Sequence, residues 1–208
     1  MKSIKKISLV VLAAVLSITF ANAQVGVQAG YSMMKSTVDN SKASNGFHVG
    51  PIYNMSLQGP ISLQYGLLYN LYVASSSTDK VLNSWVTTTN TNHQIDIPVR
   101  VAGTFPLSSG LSAFVFAGPN FNLGLAGKTS VATYVDGKKS DKLSGSGKDI
   151  YEDKDLSRFN LQLGLGAGLQ FNNMGVKASY DFGLLDMYKS DLLDYKVNGL
   201  KVGLFYNF

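Results

Sequence analysis

The 208-residue chain contains no cysteine. That absence excludes a disulfide framework, a thiolate metal site and a lipidated N-terminal cysteine. Histidine is almost as scarce, because His48 and His93 are the only two. The fold must therefore be stabilised by backbone pairing and packing, and any chemistry that needs an imidazole depends on two positions.

Long hydrophobic runs are also lacking, with one exception near the N-terminus. The run from Ile7 to Phe20 is shorter than the roughly 20 residues that span a bilayer as a helix. It follows Lys2, Lys5 and Lys6 and precedes the small-residue sequence "ANA" at 21–23. This order predicts a cleaved signal peptide over residues 1–23 and an exported domain over residues 24–208.

The chain has little excess charge once the predicted leader is removed. The precursor has a net charge of +5, but three of its 18 basic residues and none of its 13 acidic residues lie in the leader. The mature chain, with 15 basic and 13 acidic residues, has a net charge of only +2, which is no argument for nucleic-acid binding, because such binding needs clustered lysine and arginine. We therefore expect no nucleic-acid partner.

Strict alternation of apolar and polar residues is the dominant pattern of the remaining sequence. "ISLQYGLLYNLYV", residues 61–73, has an apolar residue at every odd position. Successive side chains leave a strand on opposite sides, so the segment predicts a strand with one apolar and one polar face. Seven further segments repeat the pattern: QVGVQAGYSM, FHVGPIYNMSL, HQIDIPVRVAGTF, LSAFVFAGPNFNLGL, RFNLQLGLGAGLQF, residues 176–184 and residues 200–208.

The connections between these segments alternate in length. Tight turns at 58–60, 106–110 and 172–175 alternate with long polar stretches at 35–45, 75–92, 126–157 and 186–196. The sequence therefore predicts an all-β fold, an eight-stranded antiparallel up-and-down transmembrane β-barrel with short periplasmic turns and long extracellular loops. A soluble lipocalin-like barrel is the alternative, but it would place the glycines of the polar face in solvent.

Details of the strands refine this expectation. Two levels of outward aromatic residues predict membrane girdles. They are Phe105, Phe171 and Phe208 at the periplasmic end, and Tyr31, Phe47 and Phe159 at the outer end. Pro51, Pro98 and Pro119 remove ladder donors inside strands, and β-bulges are the expected accommodation.

The motifs "QIDIPVR" and "FAGPNFNLGLAG" resemble those of the PorT-like outer-membrane β-barrel domain family of Gram-negative bacteria. The resemblance covers residues 24–208 and implies a barrel in the cell outer membrane. One class of relatives assists protein secretion, and many have no assigned role. The final "LKVGLFYNF" looks like the signal read by the barrel-assembly machinery, with Leu204, Tyr206 and Phe208 as its apolar positions.

Charged residues on the polar face are predicted to form a lumen charge cluster. Its members are Asp96, Arg100, Arg158, Lys177, Asp181 and Lys201. A charge in a narrow interior is costly unless it is paired, so we expect Asp181 to bridge Lys201, Arg100 or both. Such a cluster would close an eight-stranded barrel to solutes.

The two histidines raise an enzymatic alternative. Outer-membrane acyltransferases and lipid A deacylases pair a histidine with a serine and an acid, and Ser44, Ser84 or Asp96 could serve. Nothing in the spacing requires such a site. The chain is therefore predicted to be no enzyme.

The predicted outer loops carry three further features. "DIYEDKD", residues 149–155, is acidic, but nearby lysines offset its charge, so no metal site and no cofactor are expected. Asp136 and Gly137 predict a hairpin turn that would let the fifth strand extend into a protruding arm. Trp85, the single tryptophan, is interpreted as an outer interfacial anchor, with a recognition aromatic as the alternative.

The sequence thus favours a structural, secretion- or assembly-linked, or surface-interaction barrel whose lumen is plugged by polar side chains. A lipid-modifying enzyme is the second hypothesis, and a small porin-like diffusion pore is the third. The expected partners are outer-membrane lipid and lipopolysaccharide, the barrel-assembly machinery, and a protein at the extracellular loops.

Overall fold

A computed structural model describes residues 23–39, 41–80, 83–152, 156–188 and 195–208. The predicted signal peptide, apart from Ala23, lies outside the described residues. Within the described ranges, no helix has the length and apolar character needed to cross a membrane. The helical structure in these ranges is a single 3-10 turn, Ile150–Glu152.

Eight long strands form the barrel, and two short strands, Lys138–Lys139 and Gly145–Asp149, pair with the outer part of the fifth. The eight long strands are β1 (Ala23–Ser36), β2 (Ser44–Ser56), β3 in two segments (Ile61–Gly66 and Leu68–Ser77), β4 (Trp85–Ser108), β5 (Leu111–Val135), β6 (Phe159–Phe171), β7 (Met174–Gly183) and β8 (Val197–Asn207).

Each strand pairs antiparallel with its neighbours in sequence, and the last strand pairs with the first. Gly30 of β1 lies opposite His48 of β2 on one side and opposite Gly203 of β8 on the other. The sheet therefore closes on itself and has no free edge at the barrel wall. The predicted eight-stranded antiparallel up-and-down barrel is confirmed.

The two faces of the barrel have the polarity expected in a membrane. Leu165 and Leu204 are 54% and 66% exposed on the outer face, whereas Asp96 and Asp181 are each 1% exposed in the interior. Most of the large, fully buried side chains are polar, including His48. A soluble barrel would reverse this arrangement, so the lipocalin alternative is wrong.

The glycines of β6 show why the interior tolerates little side-chain volume on that strand. Gly164, Gly166 and Gly168 face inward, opposite bulky groups from other strands. A β-carbon at Gly164 would overlap the Arg100 and Asp181 side chains, and one at Gly166 would overlap the Phe116 ring. Glycine on this strand therefore makes room for large side chains that cross the lumen.

The expectation of bulges at Pro51, Pro98 and Pro119 is wrong. The pairing register is the same before and after all three prolines. At Pro119 the β4–β5 ladder lacks rungs for two residue pairs, and the Arg100 guanidinium donates a hydrogen bond to the Gly118 carbonyl inside that gap. A side chain thus satisfies an acceptor that the interrupted ladder leaves open.

A register shift lies instead near the outer end of β5. His93 pairs with Ala126, and the next residue, Gln94, pairs with Gly124. Leu125 is therefore the extra residue of a bulge. Below the bulge even-numbered residues of β5 face the lumen, whereas above it Gly127 and Thr129 lie on the inner side with Asn92 and Asn90.

Strands β4 and β5 continue far beyond the barrel as a protruding arm, defined here as residues 85–92 of β4 with residues 127–135 of β5. A barrel strand needs about 9 to 11 residues to cross the membrane, but β4 and β5 have 24 and 25. The predicted turn is confirmed, because Asp136 and Gly137 adopt positive φ values of 50° and 76°. Much of the stretches expected to be loops, 75–92 and 126–157, is thus strand, including Gly145–Asp149 beside β5.

Trp85 lies at the far end of this arm. It pairs with Tyr134, nine residues beyond Leu125, the last large apolar residue of β5 that is exposed on the barrel wall. Nine strand residues correspond to roughly 30 Å. The interpretation of Trp85 as a membrane anchor is therefore wrong.

The polarity of the faces predicts a depth-dependent cost of charge on β6. Leu165→Arg, at the middle of the strand, should lower the free energy of unfolding by about 2 to 4 kcal/mol, because its charge faces hydrocarbon. Phe159→Arg, on the same face at the outer end, should cost about 0 to 1 kcal/mol. Urea unfolding in lipid vesicles measures both, and equal costs would contradict the assigned depth.

Candidate functional site: a sealed lumen beneath an extracellular arm

Four of the six predicted cluster residues form one chain of ion pairs across the lumen. Arg100 contacts Asp181, whose other carboxylate oxygen lies 3.1 Å from Lys201 Nζ. The same Lys201 Nζ lies 2.8 Å from Asp96 Oδ2. Positive and negative groups therefore alternate along the series Arg100, Asp181, Lys201 and Asp96, called here the ion-pair chain.

The ion-pair chain is positioned by three strands and is shielded from water. Asp96 and Arg100 lie on β4, Asp181 on β7 and Lys201 on β8, and each is at most 6% exposed. Two cations and two carboxylates balance one another, so none of the four leaves an uncompensated charge. Asp181 contacts both cations that the sequence suggested as its partners.

Amide side chains fill the lumen on the outer side of the ion-pair chain. Asn122 Nδ2 donates to Asp96 Oδ1 at 2.6 Å and to Gln94 Oε1 at 2.8 Å. Asn120 Nδ2 donates to Gln162 Oε1 at 2.7 Å, and Gln162 donates to a main-chain carbonyl of β8. Side-chain hydrogen bonds in this layer join β4 to β5 and β5 to β6, and the Gln162 amide joins β6 to the backbone of β8.

Apolar side chains fill the lumen on the periplasmic side. Phe114 packs against Phe116 and Phe205, with ring centroids 6.0 and 5.8 Å apart. Ile52, Leu68 and Ala102 complete the cluster. In the sequence, Phe114 and Phe116 are apolar residues on the otherwise polar face of their strand. This break in the alternation is the signal of an apolar plug. Between this plug and the ion-pair chain remains a cavity of about 40 Å³.

The two other predicted cluster residues lie elsewhere. Arg158 lies at the outer rim, where it donates to the Leu125 carbonyl at 2.7 Å and lies 3.5 Å from Asp149. Lys177 faces the lumen but makes no ion pair with any described residue. Its Nζ lies 5.9 and 5.7 Å from the ring centroids of Phe116 and Phe205.

The histidines do not meet the residues that an acyl-transfer site would need. His48 is 1% exposed, and its two ring nitrogens lie 2.8 Å from Gln28 and from Ser32 Oγ. Ser44 is four residues from His48 along β2, roughly 13 Å. Because Ser32 is fully buried, the His48–Ser32 pair has no exposed hydroxyl to offer a lipid.

His93 faces outward and contacts the Tyr69 hydroxyl at 2.6 Å through Nδ1. Ser84 precedes Trp85 at the end of the arm, nine residues from His93 and therefore roughly 30 Å away along the strand. Asp96 belongs to the ion-pair chain. The described geometry assembles no combination of histidine, serine and acid.

A wide vestibule lies above the amide layer. Its volume is about 1010 Å³, and its lining includes hydroxyl and amide side chains such as Ser44, Ser76, Asn90 and Thr129. Asp149 at its rim accepts hydrogen bonds from the main-chain N–H groups of Gly127 and Tyr151 at 3.0 and 3.1 Å.

The surroundings of Asp149 favour its ionised form. Partial desolvation would raise the pKa of Asp149, but the two main-chain hydrogen bonds and the Arg158 guanidinium outweigh it, so the pKa lies below the ordinary value. The described residues hold no group of three or more side chains suited to a metal ion. Asp153 and Asp155 of the acidic segment lie outside the described residues.

The predicted assembly residues lie on the outer face of β8. Leu204, Tyr206 and Phe208 are all exposed, and the last two rings meet edge to face at 5.3 Å. Their role as an assembly signal stays a prediction. The six predicted girdle aromatics are likewise exposed on the outer face.

Comparison with solved structures finds proteins of low sequence identity. Ail, the attachment invasion locus protein of Yersinia pestis, is 19% identical, with 90% of this chain and 99% of Ail covered and a TM-score of 0.38. Neisserial surface protein A is 15% identical, with 90% and 99% covered and a TM-score of 0.45. The translocator domain of the autotransporter NalP from Neisseria meningitidis is 13% identical, with 100% and 96% covered and a TM-score of 0.34. Similarity at this level carries no argument about ligands.

The family comparison is decisive for class and location. The model of the outer membrane protein beta-barrel domain matches residues 16–189, which is most of the chain. No match was found among curated protein sequences. The chain belongs to the outer membrane protein beta-barrel domain family, and its location is the cell outer membrane.

The order of charges in the ion-pair chain makes the outcome of double substitutions predictable. Asp181→Asn should lower the free energy of unfolding by about 3 to 5 kcal/mol, because it leaves Arg100 and Lys201 short of a counter-charge. Adding Arg100→Gln should recover part of that loss, since Lys201 and Asp96 remain as a balanced pair.

The matched comparison is Asp181→Asn with Lys201→Gln, which leaves Arg100 and Asp96 apart and should recover less. Urea unfolding in vesicles measures all three variants. Equal recovery in the two double variants would contradict the alternating order.

Proposed function

We propose, with membership of this outer-membrane barrel family as the premise, that the protein is a closed barrel that presents its extracellular arm to a protein partner. The observation that carries the proposal is the length of the β4–β5 pairing, which runs from Ser108 opposite Leu111 to Trp85 opposite Tyr134 despite the gap at Pro119 and the bulge at Leu125. The barrel anchors the protein in the membrane, and the arm provides the contact surface.

The filling of the lumen supports a non-conducting role. An eight-stranded barrel has an interior just wide enough for side chains. Here the amide layer, the ion-pair chain and the apolar plug follow one another along the axis, with bonds as short as 2.6 Å between Asn122 and Asp96. A lumen filled in this way disfavours the diffusion pore.

The order within the arm supports a binding role. Side-chain hydrogen bonds link Ser75 to Thr89 at 3.0 Å and Ser77 to Thr87 at 2.9 Å, so β3 extends alongside the arm. Backbone pairing fixes the arm before any partner arrives. A preformed surface loses less conformational entropy on binding than a flexible loop.

The end of the arm has the composition of an interaction centre. The Trp85 and Tyr134 rings stack at a centroid distance of 4.7 Å, and Lys80 Nζ lies 4.6 Å from the centre of the Trp85 ring. Tryptophan and tyrosine are enriched among the residues that dominate protein interfaces. Of the two earlier interpretations of Trp85, the recognition aromatic is the one retained.

The proposal also covers export, insertion into the membrane and the expected partners. The leader at 1–23 directs export, and Leu204, Tyr206 and Phe208 direct insertion by the barrel-assembly machinery. Lipopolysaccharide surrounds the outer half of the wall, and the PorT-like resemblance supports a secretion-linked partner. The lipid-modifying enzyme gains no support from His48, whose ring nitrogens are both occupied inside the lumen.

Conductance tests the closed lumen. Purified protein that migrates differently before and after boiling, as a folded barrel does, should insert into a planar bilayer without steady single-channel currents. The reason is that the ion-pair chain and the Phe114 cluster occupy the axis. Large, steady currents from the unmodified protein would favour the pore.

Trimming the arm tests the partner role. Ser75 and Thr89 are cross-strand partners, so replacing residues 76–88 with Asn-Gly should close a short hairpin without changing the barrel register. The trimmed protein should keep its heat-dependent gel shift and lose the protein that crosslinking captures in the native membrane. Trp85→Phe, which keeps an aromatic ring, should retain that protein as the control. Capture of the same protein by the trimmed form would contradict the proposal.

A further inference from the structure

Lys177 is the lumen cation that the ion-pair chain leaves out. Its Nζ makes no ion pair with any carboxylate in the described ranges, and it lies over the Phe116 and Phe205 rings. On β7 it faces the lumen four residues from Asp181 on the periplasmic side, between Gly168 of β6 and Gly203 of β8. The ammonium group therefore lies where the apolar plug meets the ion-pair chain.

The charges around this position do not balance. Five charged side chains border the 40 Å³ cavity: Arg100, Lys177 and Lys201 are positive, and Asp96 and Asp181 are negative. Both carboxylates are already engaged by Arg100 and Lys201. The lumen thus carries one excess positive charge. Lys177 is half-buried, and an ammonium group that is partly removed from water without a counter-charge is disfavoured.

The aromatic contacts compensate for only part of this cost. Both rings lie almost at the 6 Å limit of an effective cation–π interaction, which is weaker than an ion pair with a buried counter-charge. An acceptor that satisfies the ammonium N–H groups must therefore come from within the cavity.

The cavity has the size and the donors for a small counter-ion. A volume of about 40 Å³ exceeds what a single water molecule needs. Its wall includes the Ser179 hydroxyl and the Gln64 amide, which supply neutral hydrogen-bond donors, whereas the amides of Gln28 and Asn54 already donate to His48 and Asn207.

We infer that this cavity binds a small monovalent anion of the halide class, with Lys177 as its principal partner. The anion would restore electroneutrality in the lumen, and together with the side chains it would fill the interior of the barrel. The inference is independent of the arm and of its partner, because the site lies in the lumen of the barrel.

Bromide locates the site directly. The full barrel is unfolded in urea and refolded in bromide, so that the interior equilibrates with the ion, and is then crystallised. An anomalous difference peak beside Lys177 Nζ is the expected result. A cavity that holds only water, with no anomalous signal, would overturn the inference.

Stability in solution gives a second test that does not need crystals. An ion that binds only the folded state raises the urea midpoint as its concentration increases. The midpoint should therefore rise when chloride replaces gluconate, an anion too large for the cavity, at constant ionic strength. An unchanged midpoint would overturn the inference.

Two variants assign that response to Lys177. Lys177→Met should abolish the chloride-dependent rise, and Lys177→Arg should retain it. Lys128→Met, at an exposed lysine above the bulge, is the matched control and should behave like the unmodified protein. An equal response in Lys177→Met would show that the halide acts elsewhere and would overturn the assignment.

Discussion

Closure of the backbone ladder is the constraint on which the rest of this structure depends. Inside a bilayer no water satisfies a free N–H or C=O group, so a sheet can cross only when its first and last strands pair. The β1–β8 ladder, with Gly26 opposite Asn207, provides that closure. Eight strands then fix the width of the interior, and that width determines which side chains fit within it.

A narrow interior imposes strict rules on polar groups. There is too little space for hydration shells, so carboxylates must meet cations and amides must meet other amides. The alternating order of Arg100, Asp181, Lys201 and Asp96 satisfies this rule. The glycines of β6 belong to the same arrangement, since their missing side chains leave the volume that Arg100 and Phe116 occupy.

Much of the fold could be read from the sequence because a strand has a period of two and a membrane makes that period visible. The same alternation identified the charges that point inward, and it allowed us to predict that Asp181 contacts Arg100 and Lys201. This alternation does not show which inward charges are in contact, however, so it could not separate Lys177 from the ion-pair chain. Local rules also failed where tertiary contacts intervened: Arg100 stabilises the gap at Pro119 without a bulge, and continued pairing carries Trp85 far from the membrane.

The Leu125 bulge has a consequence for how the gene can change in length. In a continuous strand, inserting or deleting one residue would exchange every inward and outward side chain beyond it. Because the phase of β5 already reverses at Leu125, this position separates two reading phases, one for the barrel and one for the arm. A single-residue insertion or deletion between Gly124 and Gly127 would therefore exchange the two faces of the arm and leave those of the barrel segment unchanged.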